Sequence, residues 1–480
     1  MNERKPQAKA RIGVFGIGLA AYWPQFEGLK ERLEGYQHEV ETNLKHAGAE
    51  VISVGLVDTA PSALQAGEHF ARADVDLLVC YVGTYATSSQ VLPAVQRSKV
   101  PVLVLNLQPV AAIDYANTDT GEWLANCCAC CVPELSNAFT RAHINFNVVS
   151  GMLRDDPRAW GRINDWVSAA SVNRSLSRSR IGFLGHTYPG MLDMYSDFTM
   201  IHAQTGAHVE VLEMDDLEVR VDAVGAGELE AKKLEIRQVF DIAEVGRDKI
   251  SQPVTEEAFD WSARVACGLD RLVTDFDLDG LTYYYRGWNG NIFERLGAGV
   301  IVGNSLLTAR GVPASGEGDL KTCLAMKIMD GFGAGGSYTE FYAMDFNEQF
   351  ILMGHDGPAH VAISNEKPVL RGLGLYHGKR GYGISVECQV KTGPITILGM
   401  TQTAEGNLKL LAAEGESIAG PRLQIGNTNS RLRFGLDPAE FMDAWCGEGP
   451  THHVALGVGH QLERLRKLAR ISGLKLVVIS

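Results

Sequence analysis

The first half of the chain alternates short apolar runs with longer segments in which apolar residues recur at helical spacing. The apolar runs are RIGVFGIG, VISVGLVD, VDLLVCYVG and VPVLVLNLQ, and the helical segments between them cover 24–47, 61–73 and 87–98. Near-continuous apolar runs are typical of parallel strands that are buried on both faces. The alternation therefore predicts a doubly wound α/β domain, closed by a long helical stretch over about 132–170.

The alternation of strand and helix begins again at Ser179. The predicted elements are the strands RIGFLG, HVEVLEM and LDGLTYYYR and the helices over 191–205, 227–243 and 255–275. Because RIGFLG is so similar to RIGVFG near the N-terminus, the pattern predicts a second α/β domain on a similar plan.

After about residue 330 the pattern changes. Glycine becomes frequent, alternating segments such as YGISVECQV appear, and a helical pattern returns only over 459–472. These features are typical of antiparallel β-structure. The predicted fold is thus two doubly wound parallel-sheet α/β domains, over 1–175 and 176–330, followed by a mostly β C-terminal domain over 331–480.

Composition excludes several classes of protein. The formal net charge is −13 and no run of Lys and Arg is present, so nucleic acid is not an expected partner. No apolar stretch reaches the roughly 18 residues that a membrane span requires. The N-terminal segment MNERKPQAKA is charged and leads directly into a strand, unlike a secretory signal. A cytoplasmic protein is expected.

Four of the nine cysteines fall in one run, NCCACC, at positions 127, 128, 130 and 131. A structural zinc site usually joins two C-x₂-C pairs from separate segments, and neighbouring thiols cannot all face one tetrahedral ion. These cysteines are therefore interpreted as small buried residues packed near the start of a helix.

A glycine motif near the N-terminus raises a different possibility. Gly16 and Gly18 follow a strand with the G-x-G-x-x-A spacing of dinucleotide-binding turns, and Asp58 ends the next strand, where a ribose-binding acid would lie. Trp23-Pro24, however, stands where the helix should begin, and Asp58 is about twice the usual distance from the motif. A plain turn is the favoured interpretation, and a nicotinamide-dependent oxidoreductase using Gly16, Gly18 and Asp58 is the alternative.

Acids and histidines of the second half lie at boundaries between loops and regular elements. Glu317 lies in GEGDLKT, Glu340 in SYTEFYAMDF, His355 in ILMGHDG, and His452 and His453 in THHVALGV. Such boundaries are where folds display functional groups. Two carboxylates and two imidazoles would suit Mn²⁺, Co²⁺ or Fe²⁺ in an octahedral site, with two positions left for substrate oxygens or water.

The GEGDLKT motif has local features that would hold its glutamate rigidly. Glycines on either side of Glu317 permit the backbone to approach an ion closely. Asp319 is the expected N-cap of the helix that follows, and Lys321-Thr322 are interpreted as ordinary first-turn residues. A glutamate in this position also has a purely structural interpretation, because it stabilises the helix dipole.

The histidine pair leaves one choice open. If VALGV continues as a strand through the pair, His452 and His453 point to opposite faces and only one of them faces the site. The pattern does not decide between them. Taken singly, a histidine such as His355 is more often a core or surface residue than a metal ligand.

Together the four motifs resemble the metal-site motifs of the L-arabinose isomerases, in the same order and at similar spacing. The resemblance implies the three-domain build and the homo-oligomers of the arabinose and fucose isomerase group. Carried onto this chain, it implies that the metal ligands are Glu317, Glu340, His355 and the second histidine of the pair, His453, with Mn²⁺ as the expected ion. It also implies interconversion of an aldose and a ketose through an enediol, with Glu317 and Glu340 as the acid and the base.

Two segments depart from the family's sequence at sugar-recognition positions. Arabinose isomerases have Gln-His-Leu-Tyr-Gly after the first strand, where this chain has GIGLAAYWPQF. Ala129-Cys130-Cys131 replaces a stretch, Ala-His-Gly-Gly, that contributes a histidine to a neighbouring subunit's pocket. A small-molecule sugar other than L-arabinose is therefore the expected substrate.

Other assignments stay open from sequence alone. His186 and Tyr283–Tyr285 either line the pocket or fill a core. A non-catalytic sugar-binding relative is the second alternative function, and the presence of both glutamates argues against it.

Overall fold

The computed structural model describes residues 4–243, 251–286, 290–376 and 379–480. The chain divides into two units. The N-terminal unit consists of Gln7–Ser175 and Arg464–Gly473, and the second unit consists mainly of Leu176–Glu463 and Leu474–Ser480. The division into three domains at 175/176 and 330/331 stays a prediction.

The N-terminal unit is built on a five-stranded parallel sheet with strand order β2-β1-β3-β4-β5. Its elements are β1 (Arg11–Ile17), α1 (Leu29–His46), β2 (Glu50–Val57), α2 (Ala60–Arg72), β3 (Leu77–Val82), α3 (Ser88–Gln96), β4 (Val102–Gln108), α4 (Thr120–Leu124), α5 (Val132–Arg141), β5 (Phe146–Met152) and α6 (Pro157–Ser177). Apolar side chains from both faces of the sheet form two separate cores, as the near-continuous apolar runs predict.

The predicted long helix over 132–170 is wrong. The structure has two helices there, α5 and α6, with the edge strand β5 between them. β5 pairs with β4 along its whole length, and only Val149 of its seven residues is buried. An edge strand with so little buried surface lacks the apolar run that identified the other four strands.

The cysteine run lies just before α5. Cys127, Cys128 and Cys131 are buried and Cys130 is exposed. The Cys128 thiol donates to the carbonyl of Leu107 at 3.4 Å, and burial raises its pKa to about 12. These contacts agree with a packing role near the start of the helix.

The second unit begins with a four-stranded parallel sheet of order β11-β10-β6-β7. Its elements are β6 (Arg180–Gly185), α7 (Phe198–Thr205), β7 (His208–Leu212), α8 (Met214–Asp222), α9 (Ala226–Val239), β8 (Asp241–Ile242), β9 (Ser251–Gln252), α10 (Glu256–Asp275), β10 (Gly280–Tyr284), α11 (Ile292–Ala309), β11 (Ala314–Ser315) and α12 (Leu320–Gly331). The helix predicted over 191–205 is confined to α7, because the segment before it forms a loop with a short 3₁₀ turn at Leu192–Met194.

The rest of the chain is mostly β-structure. Its elements are β12 (Gly335–Asp345), β13 (Phe350–His355), β14 (Val369–Tyr376), β15 (Lys379–Glu387), β16 (Gly393–Gln402), β17 (Leu408–Ile418), β18 (Thr428–Phe434), α13 (Pro438–Gly447), β19 (Val454–Val458), α14 (Leu462–Ser472) and β20 (Lys475–Val478). Six of these strands, in the order β16-β19-β12-β13-β18-β17, close into a barrel through pairing of β16 with β17. The predicted fold class is thereby confirmed. Among the described residues, no helix has both the length and the apolar composition needed to cross a membrane.

His360, which follows β13, predicts a pH dependence of stability. Only 3% of it is exposed, neither ring nitrogen has a hydrogen-bond partner in the described part of the chain, and burial lowers its pKa from 6.5 to about 4. Between these values the unfolded chain binds a proton that the folded protein does not, so stability falls as the pH falls from 6.5 to 4. The single group accounts for about 3 kcal/mol over that window. Replacing His360 with phenylalanine should flatten the acid side of a denaturation-midpoint profile, and an unchanged slope would contradict this account.

Candidate metal centre

Glu317 stands at a sharp corner between β11 and α12. Its φ is +61° and that of Gly318 is +70°, a left-handed conformation that is uncommon for a residue with a side chain. The Tyr188 N–H donates to the Glu317 carbonyl at 2.8 Å, and the Gly318 N–H donates to the Tyr283 carbonyl at 3.0 Å. A Cβ at Gly318 would lie 2.6 Å from the His186 carbonyl oxygen. Backbone strain of this kind is characteristic of functional sites, and here it fixes the direction of the carboxylate.

The register of the barrel brings the remaining predicted ligands to one place. Glu340 on β12 pairs with the residue that precedes His355 on β13. Thr339, the neighbour of Glu340, pairs with the residue that follows His453 at the start of β19. Because β12 lies between the two other strands, Glu340 has one imidazole on each side.

His453 belongs to two groups of possible metal donors, one with Glu317 and His355 and the other with Glu340 and His452. Its Nε2 atom lies close to both predicted carboxylate ligands. That atom is 3.7 Å from Glu317 Oε2 and 4.0 Å from Glu340 Oε2. The ligand atoms of Glu317, His355 and His453 all lie within 4.8 Å of one another. The His453 side chain is fully buried, and its Nε2 has no hydrogen-bond partner within the described ranges.

These separations suit a divalent cation. Two ligands at about 2.1 Å from one ion are at most about 4.2 Å apart, which includes both distances measured from His453. A buried nitrogen without a partner is costly unless something coordinates it. The residues therefore fit a metal ion, and their assignment as ligands stays a prediction.

His452 also reaches the centre, contrary to the expectation that only one histidine of the pair would. β19 begins at Val454, so the alternation of a strand does not extend back to the pair. The His452 and His453 rings lie edge to face with centroids 4.6 Å apart. His452 Nε2 is 2.5 Å from Glu340 Oε2, and Glu340, His452 and His453 form a second group of donors within 4.8 Å.

Electrostatics keep the site in the protonation state that cation binding requires. Burial, the largest single effect, raises the pKa of Glu340, but the hydrogen bond from His452 and the charges of the three neighbouring histidines together outweigh it, so the net pKa is lowered and the group is a carboxylate. The same hydrogen bond raises the pKa of His452. Burial, aided by the positive charge that His453 would carry, lowers the pKa of His355 to about 3, so its imidazole is neutral.

Asp319 contacts His453 in addition to capping a helix, and the sequence did not reveal this contact. Asp319 is the N-cap of α12, as expected, since its Oδ1 accepts from the Thr322 N–H at 3.0 Å. Its Oδ2 is also 3.0 Å from His453 Nδ1, and the carboxylate is completely buried. An acceptor at Nδ1 places the proton there and leaves the Nε2 lone pair for an ion, the usual arrangement of a metal-binding histidine.

Lys321 is not an ordinary first-turn residue. It is 1% exposed, and its ammonium group donates to the Tyr195 carbonyl at 2.9 Å and to Ser196 Oγ at 3.1 Å. In the same loop, Asp193 Oδ2 accepts from the His452 N–H at 2.8 Å. The segment 186–197, which follows β6, is therefore tied to two of the predicted motifs, and a first-turn lysine carries no sequence signal for this contact.

The aromatic residues near Glu317 separate into two roles. Tyr283 is a packing residue whose hydroxyl accepts from Asn304 Nδ2 at 3.2 Å. The His186 ring lies 5.1 Å from that of Tyr284, which in turn lies 4.9 Å from Tyr188. These three rings form an aromatic group beside the corner that carries Glu317.

The glycine turn of the N-terminal unit is packed against its own Trp23 side chain. The Trp23 indole Nε1 donates to Asp58 at 2.8 Å, so the acid expected to bind ribose already has a partner. A Cβ at Gly18 would lie 2.8 Å from the same indole ring. Helix α1 begins only at Leu29, well beyond the turn. This geometry argues against the oxidoreductase alternative and supports a plain strand-to-helix turn.

Comparisons with known proteins agree with the resemblance in the motifs. Residues 335–475 match the family model of the L-arabinose isomerase C-terminal domain, a range that includes Glu340, His355 and His453. L-arabinose isomerase of Nocardioides sp. strain JS614 is 23% identical over 410 residues, covering 84% of this chain and 80% of that protein. The enzyme of Saccharophagus degradans is 23% identical over 455 residues, covering 91% and 87%, and that of Acidothermus cellulolyticus is 25% identical over 417 residues, covering 84% and 80%. The resemblance to this family is thus confirmed, at low identity.

A solved structure is matched much more weakly. A periplasmic solute binding protein from Actinobacillus succinogenes 130z with bound D-allose aligns with 64% of this chain at 13% identity, covering 78% of that chain, with a TM-score of 0.18. Similarity at that level carries no argument about this protein.

Proposed function

We propose that this chain, a divergent relative of the L-arabinose isomerases, is a metal-dependent aldose–ketose isomerase. The observation that carries the proposal is the convergence of Glu317 and Glu340 on the unpartnered Nε2 of His453. Two acids beside a cation site are what a proton transfer between adjacent carbons requires, whereas a sugar-binding protein needs only hydrogen bonds. We further propose that Mn²⁺ is the ion and that the protein is a homo-oligomer.

Glu317, Glu340, His355 and His453 would hold the ion. When bound, a divalent ion would supply Lewis-acid polarisation of neighbouring oxygens. His453, oriented by Asp319, and His355, whose Nδ1 lies 2.8 Å from the Asp356 carbonyl, would present neutral nitrogens to it.

The two glutamates would move the proton. One carboxylate takes the proton from C2 of the aldose, the C2–H electron pair forms the C1–C2 double bond, and O1 is protonated to give the enediol. Loss of the O2 proton and return of a proton to C1 then give the ketose, so all atoms balance. His452 hydrogen-bonds Glu340 and is part exposed, which suits it to relay protons between that carboxylate and solvent.

The substrate we propose is a sugar other than L-arabinose. GIGLAAYWPQF folds with Trp23 hydrogen-bonded to Asp58, and Ala129-Cys130-Cys131 stands where the family supplies a histidine. The chain therefore lacks the polar side chains at the two positions that the resemblance assigns to sugar recognition.

The proposal predicts metal-dependent isomerisation. Aldopentoses, aldohexoses and branched or deoxy sugars would be incubated with protein stripped by EDTA and with the same protein after addition of Mn²⁺, and ketose would be measured. Ketose is expected from at least one sugar only with the ion present, together with a higher melting temperature because the ion binds the folded state. Ketose formation at the same rate with and without metal would refute metal dependence, and no ketose from any sugar would refute the isomerase assignment.

A further inference from the structure

Tyr338 is a buried residue of the candidate centre whose ring packs against both His355 and His453. It is on β12, two residues before Glu340 and therefore on the same face of the strand. It is only 2% exposed, and its ring lies 4.3 Å from the His453 ring and 4.5 Å from the His355 ring, measured between centroids. Its position alone brings it into contact with both imidazoles.

The Tyr338 hydroxyl has two hydrogen-bond partners. Its oxygen is 2.7 Å from His453 Nδ1 and 3.2 Å from the carbonyl oxygen of Gly316. The Gly316 carbonyl belongs to the peptide that leads into Glu317. A single buried oxygen therefore connects a predicted histidine ligand with the strained corner that carries a predicted carboxylate ligand.

The direction of these hydrogen bonds follows from the neighbouring groups. The Asp319 carboxylate accepts hydrogen bonds only and lies 3.0 Å from His453 Nδ1, so Nδ1 carries the proton. The Tyr338 oxygen then shares that N–H as a second acceptor, and its own hydrogen is donated to the Gly316 carbonyl. With the opposite tautomer, the Asp319 carboxylate would face a lone pair, and Nε2–H would lack an acceptor among the described residues.

We propose that the Tyr338 hydroxyl is a positioning group that couples His453 to the Glu317 corner, so that Nε2 and the Glu317 carboxylate are held toward one point. The proposal rests on the proposed function, because that point is where the ion would bind. The chain of bonds runs from His453 Nδ1–H to the tyrosine oxygen and from the tyrosine O–H to the Gly316 carbonyl. Tyr338 does not touch substrate in this scheme, since its ring is enclosed by the imidazoles.

The test is Tyr338→Phe, which keeps the ring and removes only the hydroxyl. Titration of metal-free protein with Mn²⁺ alone should give an affinity about 10- to 100-fold weaker than that of the wild type, the usual effect of removing an outer partner of a metal ligand. The absorption spectrum of the Co²⁺-substituted variant should also change, because the angle between the two ligands is no longer fixed. A purely structural role would leave the Co²⁺ spectrum unchanged and would weaken Mn²⁺ binding no more than the loss of a buried tyrosine hydroxyl elsewhere in the chain.

Tyr36→Phe is the matched control. Tyr36 is 6% exposed, its hydroxyl accepts from Arg32 Nε at 2.6 Å, and it belongs to the N-terminal unit. Its loss should leave Mn²⁺ affinity and the Co²⁺ spectrum unchanged. If both variants weaken binding equally, the hydroxyl of Tyr338 acts only through general stability and the proposal is wrong.

The remaining outcomes separate this proposal from the proposed function. Wild-type protein that binds Mn²⁺ and isomerises sugars, alongside a Tyr338→Phe variant with the same affinity and spectrum, would overturn the positioning role alone. Wild-type protein that binds no divalent ion would overturn both.

Histidine ¹⁵N chemical shifts supply a measurement that does not depend on the folding of Tyr338→Phe. The His453 resonances of the metal-free wild-type protein are assigned as those that disappear from the spectrum of His453→Gln. Their chemical shifts should be those of a neutral ring protonated at Nδ1. A ring protonated at Nε2 would contradict the proposed direction of the hydrogen bonds.

Discussion

Replacing Glu340 with glutamine is expected to lower kcat by at least about 10²-fold and by as much as about 10⁴-fold, measured at saturating divalent ion. The amide has nearly the same size as the carboxylate and keeps an oxygen that can accept from His452 Nε2, so the fold should persist. It can neither accept nor return a proton at C1 or C2. Its weaker affinity for a cation would raise the Mn²⁺ concentration needed for saturation, which is why kcat is compared after titration with the ion.

The proton transfer can be observed directly. In D₂O the wild-type enzyme should exchange the transferred hydrogen of its substrate for deuterium, and Glu340→Gln should not. Glu348→Gln is the matched control, because Glu348 follows β12 and its side chain is 63% exposed. Retention of more than about a tenth of kcat by Glu340→Gln, or a similar loss in both variants, would remove Glu340 from the acid–base pair.

Apolar runs in the sequence identified strands whether or not the structure buries both of their faces, since β2 was predicted although only Val57 of it is buried. β1, β3 and β4 have almost wholly buried residues, and their apolar runs identify them without ambiguity. α11, by contrast, was missed because it is buried on nearly all sides from Leu296 onward and shows no polar face. β5 was missed because the polar residues and the glycine of FNVVSGM interrupt its apolar run, so that it resembles the polar segments around it. Amphipathic patterning thus identifies helices with two distinct faces, and apolar runs identify strands, whereas a helix buried on all sides and a strand without an apolar run show neither signal.

The candidate site also has features that the sequence predicted and features that it did not. The residue types and their order indicated the donors, and the glycines beside Glu317 indicated the corner that carries it. The link between Asp319 and His453 spans 134 positions and depends on where α12 meets the start of β19, which no local pattern encodes. The prediction that only one of the two histidines faces the site failed because it assumed a strand that continues back through the pair. β19 begins only at Val454. Register and strand ends come from tertiary packing, so they set the limit of what the motifs could reveal.

Asp319→Ala should produce the largest loss of stability among substitutions at the site. It removes an N-cap, worth about 1 kcal/mol, and leaves the Thr322 hydroxyl and the buried His453 Nδ1–H without their carboxylate acceptor, at a cost of about 1–3 kcal/mol for each such group. A decrease of about 3–5 kcal/mol in the free energy of unfolding is expected, in line with the breaking of other buried charged pairs. Mn²⁺ affinity should fall as well, because the Tyr338 hydroxyl that remains at Nδ1 can donate as well as accept and therefore does not by itself fix the tautomer of His453.

The stabilisation that Asp319 provides should depend on pH in a defined direction. Burial, the largest single effect, raises the pKa of Asp319, but the hydrogen bonds from His453 Nδ1–H and the Thr322 N–H, with the charges of Lys321 and of His453 once it is protonated, together outweigh burial, so the folded pKa lies below that of the unfolded chain. A carboxyl group with a lowered folded pKa stabilises the protein above the unfolded pKa, and that stabilisation is lost as the pH falls through the folded value. The difference between wild type and Asp319→Ala should therefore be full at neutral pH and shrink below about pH 4.

Asp437→Ala isolates the capping part of the effect. Asp437 caps α13 through the N–H groups of Ala439 and Glu440 at 2.9 and 3.1 Å, without a buried imidazole as partner. Its replacement should cost only about 1 kcal/mol. Urea denaturation midpoints of the metal-free variants, followed by circular dichroism, compare the two. Equal midpoints for Asp319→Ala and Asp437→Ala would show that Asp319 stabilises only the helix that it caps. The orientation of His453 would then depend on its other contacts.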